Sequence, residues 1–263
     1  MHTFCLSLYY SVAKAAYSSS NLEKAQKALQ KVIDESKCLD EKLDALNLLV
    51  TVLVERDAQE QAFNTSLEVL VQLGETIPDS FEKRDARAMI KKSCKLLGQI
   101  TEERLSSMKE ADKKTEYILM FYSHIADVSY FAKPAMAAYF CCKMMQLSTE
   151  RGISKYSLLS FVMFAAVLCN NKVVKNIDAG CRLGQMAIKV YFDRYGSSSD
   201  QKTKLSFQYY ALVAYYSEPF QRCHDMLKEG VEAGMCCGDI RYSFLNGLNQ
   251  IRLGLMSGRN LEE

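Results

Sequence analysis

The chain has 263 residues, of which 49% are hydrophobic and 24% are charged, as is usual for a protein that folds around a buried core. Its 33 Lys and Arg residues nearly balance its 31 Asp and Glu residues, so a net charge of +2 offers no general attraction to nucleic acid or to anionic lipid. We therefore expect a protein partner, and neither a nucleic acid nor a membrane.

The sequence favours helices throughout. Only 3 prolines occur, and proline is the residue that most disrupts helix interiors. No segment shows the strict alternation of apolar and polar residues that is typical of a strand. The fold class predicted from this pattern is all-α, with about 13 helices in antiparallel pairs. In chain order they lie near 2–17, 22–37, 40–55, 58–74, 80–98, 101–111, 115–131, 134–151, 155–170, 173–195, 200–216, 219–233 and 239–256.

One apolar spacing returns along these helices. In the second helix the apolar residues follow each other at i, i+3, i+7 and i+10, which places them on one face. They are Leu22, Ala25, Leu29 and Val32. The same spacing recurs in four other segments: Ile118, Phe121, Ile125, Val128; Ala137, Phe140, Met144, Leu147; Val174, Ile177, Cys181, Gly184; and Phe220, Cys223, Leu227, Gly230. Small members such as Ala25, Ala137 and Gly184 let two helix axes approach closely, which predicts packed pairs.

Four glycines mark predicted helix ends: Gly74, Gly152, Gly196 and Gly234. Each follows an amphipathic segment, where a left-handed residue closes a helix and glycine adopts that conformation without a steric penalty. Their separations of 78, 44 and 38 residues indicate a repeating unit of about 40 residues, the length of two helices with their turns.

Helix starts are predicted from capping residues. Ser20 followed by Glu23 matches a capping box, and Asp57 and Thr101 are further candidates for side-chain caps. Pro134 suits the first turn of a helix, and the same reasoning applies to the proline at position 219.

The repeat predicts a single helical array over residues 1–263, with possible sub-blocks 1–112 and 113–263. The last predicted helix has no second helix after it, although Gly258 and Asn260 resemble the start of one. An unpaired final helix leaves apolar surface exposed. We therefore expect the chain to be a fragment of a longer multidomain protein, or to pair with another chain.

The 10 cysteines are interpreted as reduced thiols. No Cys-x-x-Cys pair is present, and residues 1–17 lack the features of a secretory signal. Reduced cysteines act as small hydrophobes in intracellular proteins, so we expect buried thiols and a cytoplasmic location. A metal site at Cys223 and His224 is the alternative, but neighbouring helix residues diverge by about 100° and do not easily face one ion. No metal ligand is assigned.

Three other groups of residues receive a structural interpretation. The apolar run 158–169 is shorter than the roughly 20 residues that span a bilayer, and it predicts a helix buried on several sides. The histidines lie far apart and lack a partnered nucleophile; they are His2, His124 and His224. A basic stripe at helical spacing could bind an anion or an acidic partner, but nearby acidic residues favour a solvated face. The stripe consists of Arg84, Arg87, Lys91 and Lys95.

The segment from Ser20 to Ala25 resembles the turn and second-helix start of a tetratricopeptide unit. That resemblance implies a right-handed α-α superhelix in which the first helices of the pairs line a concave groove. Tyrosines cluster in predicted first helices, and tyrosine suits interfaces because it combines apolar area with a polar tip. We hypothesise that Tyr10, Tyr117 and Tyr210 contribute to a partner-binding groove. The alternative, that adjacent tyrosines divide between core and rim, stays open.

A second resemblance covers most of the chain. Four segments are similar to the helical-repeat region of large multidomain signalling ATPases: Leu67 to Gly74 with Ile77-Pro78, Leu105 to Met108 with Asp112, Gln146 to Gly152 with Ser154 and Ser157, and Gly258 to Glu263. In that family the region follows an AAA-type or STAND-type nucleotide-binding domain. The same polypeptide often carries a Ser/Thr kinase, GAF, histidine-kinase or cyclase module. The resemblance implies a regulatory scaffold in signal transduction that binds protein partners or other domains of the same polypeptide.

The chain departs from the family in the motifs that carry chemistry. It has no Gly-x-x-x-x-Gly-Lys-Ser/Thr phosphate loop and no Asp-Phe-Gly or His-Arg-Asp triplet, so the resemblance assigns no ATP or kinase site here. We predict no catalytic residue and no cofactor. The leading interpretation is a non-catalytic scaffold. The alternative is a stand-alone adaptor subunit of a larger protein assembly, and an enzyme is third.

Overall fold

The computed structural model describes residues 2–78, 82–170, 174–196 and 201–258, except the side chains of His2, Thr3 and Phe131. These residues form 13 α-helices, a short 3₁₀ helix and no strand, and neighbouring helices pack in pairs, so the prediction of an all-α fold is confirmed. The right-handed superhelical course and the single array with sub-blocks 1–112 and 113–263 stay predictions. The helices are α1 (His2–Ser18), α2 (Leu22–Glu35), α3 (Leu39–Glu55), α4 (Gln59–Gln72), α5 (Lys83–Leu97), α6 (Glu102–Ser107), α7 (Lys113–Ala132), α8 (Pro134–Arg151), α9 (Lys155–Asn170), α10 (Ile177–Tyr195), α11 (Lys202–Tyr210), the 3₁₀ helix (Ala214–Tyr216), α12 (Phe220–Cys237) and α13 (Ile240–Met256).

Side chains cap several helix starts, and two of the predicted caps are wrong. Asn21, not Ser20, caps α2: its side chain accepts a hydrogen bond from the backbone N–H three residues later. Ser20 and Asp57 have positive φ angles of 58° and 60° and belong to the turns before α2 and α4. Thr101 caps α6, and Pro134 is the first residue of α8, both as predicted.

Three of the four glycines predicted at helix ends have the predicted positive φ angle, although a ψ of 178° places Gly196 outside the left-handed helical region. Gly74, Gly152 and Gly196 have φ angles of 88°, 112° and 71°. The prediction is wrong for Gly234, which lies inside α12, whereas Gly238 with a φ of 81° ends that helix. The helix continues past its predicted end because Gly234 serves close packing and not chain reversal.

Contacts divide the chain into two compact units. Unit 1 comprises Met1–Lys83 and Lys113–Phe140. Unit 2 comprises Arg84–Asp112 and Cys141–Glu263. The chain passes from one unit to the other at three places, one of them inside α8, so each unit is built from segments that are distant in sequence.

In unit 1 each helix packs on its neighbour: α1 on α2, α2 on α3 and α3 on α4, and α7 packs on both α4 and α3. Alanines occupy many of these contacts, and Ala25 in the predicted stripe is fully buried. A polar contact fixes α7 to the loop after α4, since the buried Tyr122 hydroxyl donates to the Glu75 carboxylate at 3.0 Å. This arrangement brings the starts of α3 and α7 beside the end of α4.

In unit 2, α9 is enclosed on most sides. Nearly every residue from Tyr156 to Cys169 is buried, as predicted for the apolar run, and the helix packs against α10 and α11. The predicted helix 200–216 is shorter in the structure: α11 ends at Tyr210 and the 3₁₀ helix follows. Among the described residues, no helix combines the length and the apolar character that crossing a bilayer requires.

Glycines let helices of unit 2 approach more closely than any side chain would permit. A Cβ atom added at Gly234 in α12 would lie 2.7 Å from Cγ2 of Thr203 and 2.8 Å from Cβ of Ser243. One added at Gly184 in α10 would lie 2.9 Å from Cγ1 of Val213. These distances are shorter than van der Waals contact, so the close approach predicted at Gly184 is confirmed.

Gly152 holds the turn between α8 and α9 against the segment that follows α6. The Ile153 carbonyl accepts from the N–H of Ala111 at 2.8 Å, and the Ile153 N–H donates to the carbonyl of Lys109 at 2.9 Å. A Cβ at Gly152 would lie 2.8 Å from the Lys109 oxygen and 2.9 Å from the Glu110 oxygen. The position therefore needs both a left-handed backbone and the absence of a side chain.

We predict that Gly152→Ala lowers the free energy of unfolding of unit 2 by about 3 kcal/mol or more, because left-handed strain of about 1–2 kcal/mol adds to a clash with backbone atoms. Gly196→Ala is the matched control: its φ is also positive, but no atom of the described residues lies within 4 Å of an added Cβ. It should lose less, about 1–3 kcal/mol from backbone strain alone, because Gly196 has a ψ of 178°. Urea unfolding followed by circular dichroism measures both, and equal losses would contradict the role given to Gly152.

Candidate functional site

A cleft of about 490 Å³ opens in unit 1 where the first turns of α3 and α7 meet the last turn of α4. Its apolar floor includes Leu43 and Leu73, which are 2% and 5% exposed. Exposed polar side chains form the rim. The lining consists of Leu39, Asp40, Leu43, Gln72, Leu73, Lys113, Lys114 and Tyr117.

The electrostatic character of the cleft is mixed, with its cations at one helix start. Lys113 and Lys114 are exposed at the beginning of α7, where the helix dipole adds a partial positive charge. The first turn of α3, which also lines the cleft, begins after Cys38, whose side chain makes no capping hydrogen bond. Asp40 is the acidic residue of the lining. An apolar floor beside two ammonium groups suits a ligand that has both apolar groups and a carboxylate.

A hydrogen bond between α7 and α3 fixes Tyr117, which lines one wall of the cleft. The Tyr117 hydroxyl donates to Oδ1 of Asp44 at 2.6 Å. Burial, and then the hydrogen bond and negative charge of Asp44, raise the pKa of the Tyr117 phenol above its usual value. Burial and the same carboxylate raise the pKa of Tyr10. The Asp44 carboxylate thus raises the pKa of two tyrosines, one on α1 and one on α7.

The structure brings together two of the three predicted groove residues. Tyr10 and Tyr117 are half-buried in unit 1, where the Asp44 carboxylate influences the pKa of both. Tyr210 is not on a groove surface: it lies in unit 2, is 6% exposed, and its ring meets Tyr209 edge-on at 4.9 Å. The reason is that α11 is covered by α9, α12 and α13, so neither tyrosine of this pair has a free face. The partner-binding role of Tyr10 and Tyr117 stays a prediction.

Sequence reasoning missed the lysines of the cleft and the carboxylate that binds Tyr117. Asp44 lies 73 residues before Tyr117, and only tertiary packing reveals that the two side chains bond. A local signal for Lys113 and Lys114 does exist, because cations at a helix N-terminus oppose the helix dipole and are not expected for stability alone. The predicted helix begins at residue 115, whereas α7 begins at Lys113, so the prediction places both lysines before the helix.

The cysteines follow the predicted interpretation only in part. Five are buried, whereas four are exposed and one is partly exposed, so the prediction of buried thiols is wrong for Cys5, Cys38, Cys236 and Cys237. Burial raises the pKa of Cys223 to about 11 and of Cys142 and Cys169 to about 12. These buried thiols are protonated at neutral pH, and a protonated thiol is a weak nucleophile and a poor metal ligand.

Two histidine side chains have hydrogen-bond partners. Nδ1 of His224 lies 3.0 Å from Oδ1 of Asp225, and Nε2 of His124 lies 2.7 Å from Oδ1 of Asn47. Across the described part of the chain, no group of three or more His, Cys, Asp or Glu side chains has a geometry that could hold a metal ion. The side chain of His2 lies outside the described residues. The basic stripe of α5 is exposed along its length, as expected for a solvated face.

No family model, curated protein or solved structure matches the chain. The similarity to the repeat region of signalling ATPases therefore rests on the sequence motifs alone. The candidate site rests on the geometry of unit 1.

We predict that Tyr117→Phe lowers the free energy of unfolding at pH 7 by about 1 kcal/mol, the net value of one hydrogen bond. The phenol pKa is higher in the folded chain than its value of about 10 in the unfolded chain, so this contribution is complete below that pH and is lost as the pH rises above it. Urea unfolding at neutral and alkaline pH measures the difference between wild type and variant.

The control is the same substitution in an Asp44→Asn background, where the accepting carboxylate is already gone. There the loss at pH 7 should be smaller. An equal loss in both backgrounds, or a loss that does not change with pH, would mean that the Tyr117–Asp44 bond does not stabilise this wall of the cleft.

Proposed function

We propose that the chain is a non-catalytic helical-repeat module that binds a segment of another protein, or of another domain of the same polypeptide, in cytoplasmic signal transduction. The observation that supports this proposal is the cleft of unit 1, where an apolar floor lies beside exposed lysines. Such a surface recognises shape and charge and needs no bond-making step.

The chemistry of the cleft indicates what it binds. Leu43 and Leu73 offer a contact for an apolar side chain, and Lys113 and Lys114 offer a contact for a carboxylate. The volume of about 490 Å³ is within the usual range of about 300–1,000 Å³ for ligand clefts, so it accepts a few side chains and not a whole domain. The favoured ligand is therefore an acidic and apolar peptide segment.

Binding is favoured over catalysis by the state of the reactive groups. The Tyr117 phenol donates to Asp44 and has a raised pKa, so at neutral pH it is not a base. Three buried thiols have raised pKa values and are not activated nucleophiles. A purified chain that hydrolyses ATP would contradict the non-catalytic proposal.

The sequence resemblance suggests how binding would be used. In a signalling ATPase the repeat region would sense a partner and relay the contact to an attached effector domain, and any ATPase or kinase activity would belong to those other domains. In a stand-alone adaptor the same cleft would hold one subunit of a larger assembly. The two roles differ in whether the bound segment comes from the same polypeptide or from another one.

The test of the cleft is a selection for peptides that bind the purified chain, from a displayed library of random sequences. Selected peptides should place Asp or Glu next to apolar residues. Their affinity, measured by fluorescence anisotropy, should fall at least about tenfold in a Lys113→Glu and Lys114→Glu double variant, because the reversed charges repel the carboxylate. Lys24→Glu, an exposed lysine of α2 that does not line the cleft, is the matched control.

Affinities that do not change in the double variant would contradict this proposal. So would selected peptides with no excess of acidic residues. Circular dichroism of each variant establishes that the helices are intact, so a loss of affinity is assigned to the cleft and not to unfolding.

A further inference from the structure

The outer face of α13 carries an exposed apolar stripe. Five side chains recur at i, i+4, i+8, i+11 and i+15, and each is 55–70% exposed. At a rise of about 1.5 Å per residue the stripe extends for about 22 Å. It consists of Ile240, Phe244, Leu248, Ile251 and Leu255. Large apolar side chains in a contiguous exposed row indicate an interaction surface.

This stripe is separate from the face by which α13 packs in unit 2. Ser243, Asn246 and Leu253 are buried on that face, where the helix meets α12 and α11. At about 100° per residue the stripe lies on the opposite side of the helix. The stripe is therefore left over after the intramolecular packing of α13 is complete.

The spacing of the stripe determines the kind of ligand that fits. Side chains at i, i+4, i+8 and i+11 form a ridge that complements the groove of a second helix. An extended strand presents side chains with a period of two and does not match this ridge. The same helix-on-helix mode already joins α12 to α13 on the other face.

The charges along the stripe select one kind of helix. Arg241 and Arg252 each follow a stripe residue by one position, so both lie along the same edge, and α13 has no acidic residue. The other edge adjoins α12 through Gly247. The exposed charges of α12 are of both signs and nearly balance; they are Arg222, Lys228, Asp225, Glu229 and Glu232.

We infer that the outer face of α13 is a docking site for an amphipathic helix of another polypeptide, with carboxylates along the edge of its apolar stripe that meets the arginines. A second copy of this chain is a poorer occupant. Antiparallel pairing of two α13 stripes would place Arg241 of one copy near Arg252 of the other, and like charges repel. This site lies in unit 2 and does not depend on the cleft of unit 1.

The test uses two designed helical peptides about 18 residues long, which is about 27 Å as a helix. Both carry leucines at helical spacing; one has glutamates along one edge of the stripe and the other has lysines there. By fluorescence anisotropy the acidic peptide should bind at least about tenfold more tightly than the basic one. Leu248→Glu should weaken the binding of the acidic peptide at least about tenfold. The matched control is Val71→Glu, an exposed apolar residue of α4 that is 59% exposed.

A double variant, Arg241→Glu with Arg252→Glu, should invert the preference between the two peptides. The inference is overturned if neither peptide binds, if both bind equally, or if Leu248→Glu binds as well as wild type while remaining helical by circular dichroism. Sedimentation of the chain without peptide measures whether it forms a dimer. A dimer that Leu248→Glu dissociates would show that a second copy covers the stripe, and this too would overturn the inference.

Discussion

Close approach of neighbouring helices is the constraint on which the rest of this structure depends. At four helix-interior glycines of unit 2 an added Cβ would lie only 2.6–2.9 Å from an adjacent atom; they are Gly180, Gly184, Gly230 and Gly234. Glycine inside a helix costs roughly 1 kcal/mol relative to alanine. That cost is offset because close backbones allow apolar stripes to interlock, and burial contributes about 25 cal/mol per Å² of apolar surface. In unit 1 buried alanines such as Ala25 have the same function.

The helix packing leaves two surfaces that we propose as binding sites. In unit 1 the pairing of α7 with α3 and α4 brings helix ends together, and the bond from Tyr117 to Asp44 fixes one wall of the cleft. In unit 2 the packing of α13 on α12 leaves its outer apolar stripe exposed. The buried cysteines with raised pKa values belong to the core and support packing. Both candidate surfaces are thus the parts of helices that their neighbours leave uncovered.

The sequence predicted the helices well because a 3.6-residue period reports directly which face is buried. It could not distinguish the two functions of glycine: Gly234 and Gly238 both follow an apolar segment, and only the neighbouring Thr203 and Ser243 show that the first serves packing. The site was less predictable for the same reason. Whether a tyrosine such as Tyr210 faces a groove depends on how many helices cover its own, and the partnership of Asp44 with Tyr117 depends on contacts distant in sequence.

The requirement for close helix approach is tested most directly at two glycines inside α12 and α13. The measurement is the free energy of unfolding of the alanine variant at each position. At Gly247 the nearest atom to an added Cβ is Cγ2 of Val231 at 3.6 Å, an ordinary contact. Gly247→Ala should therefore stabilise the chain by up to about 1 kcal/mol through helix propensity. Gly234→Ala should destabilise it by about 2 kcal/mol, because the added methyl group meets side chains at 2.7 and 2.8 Å. Stabilisation by both substitutions would contradict the account.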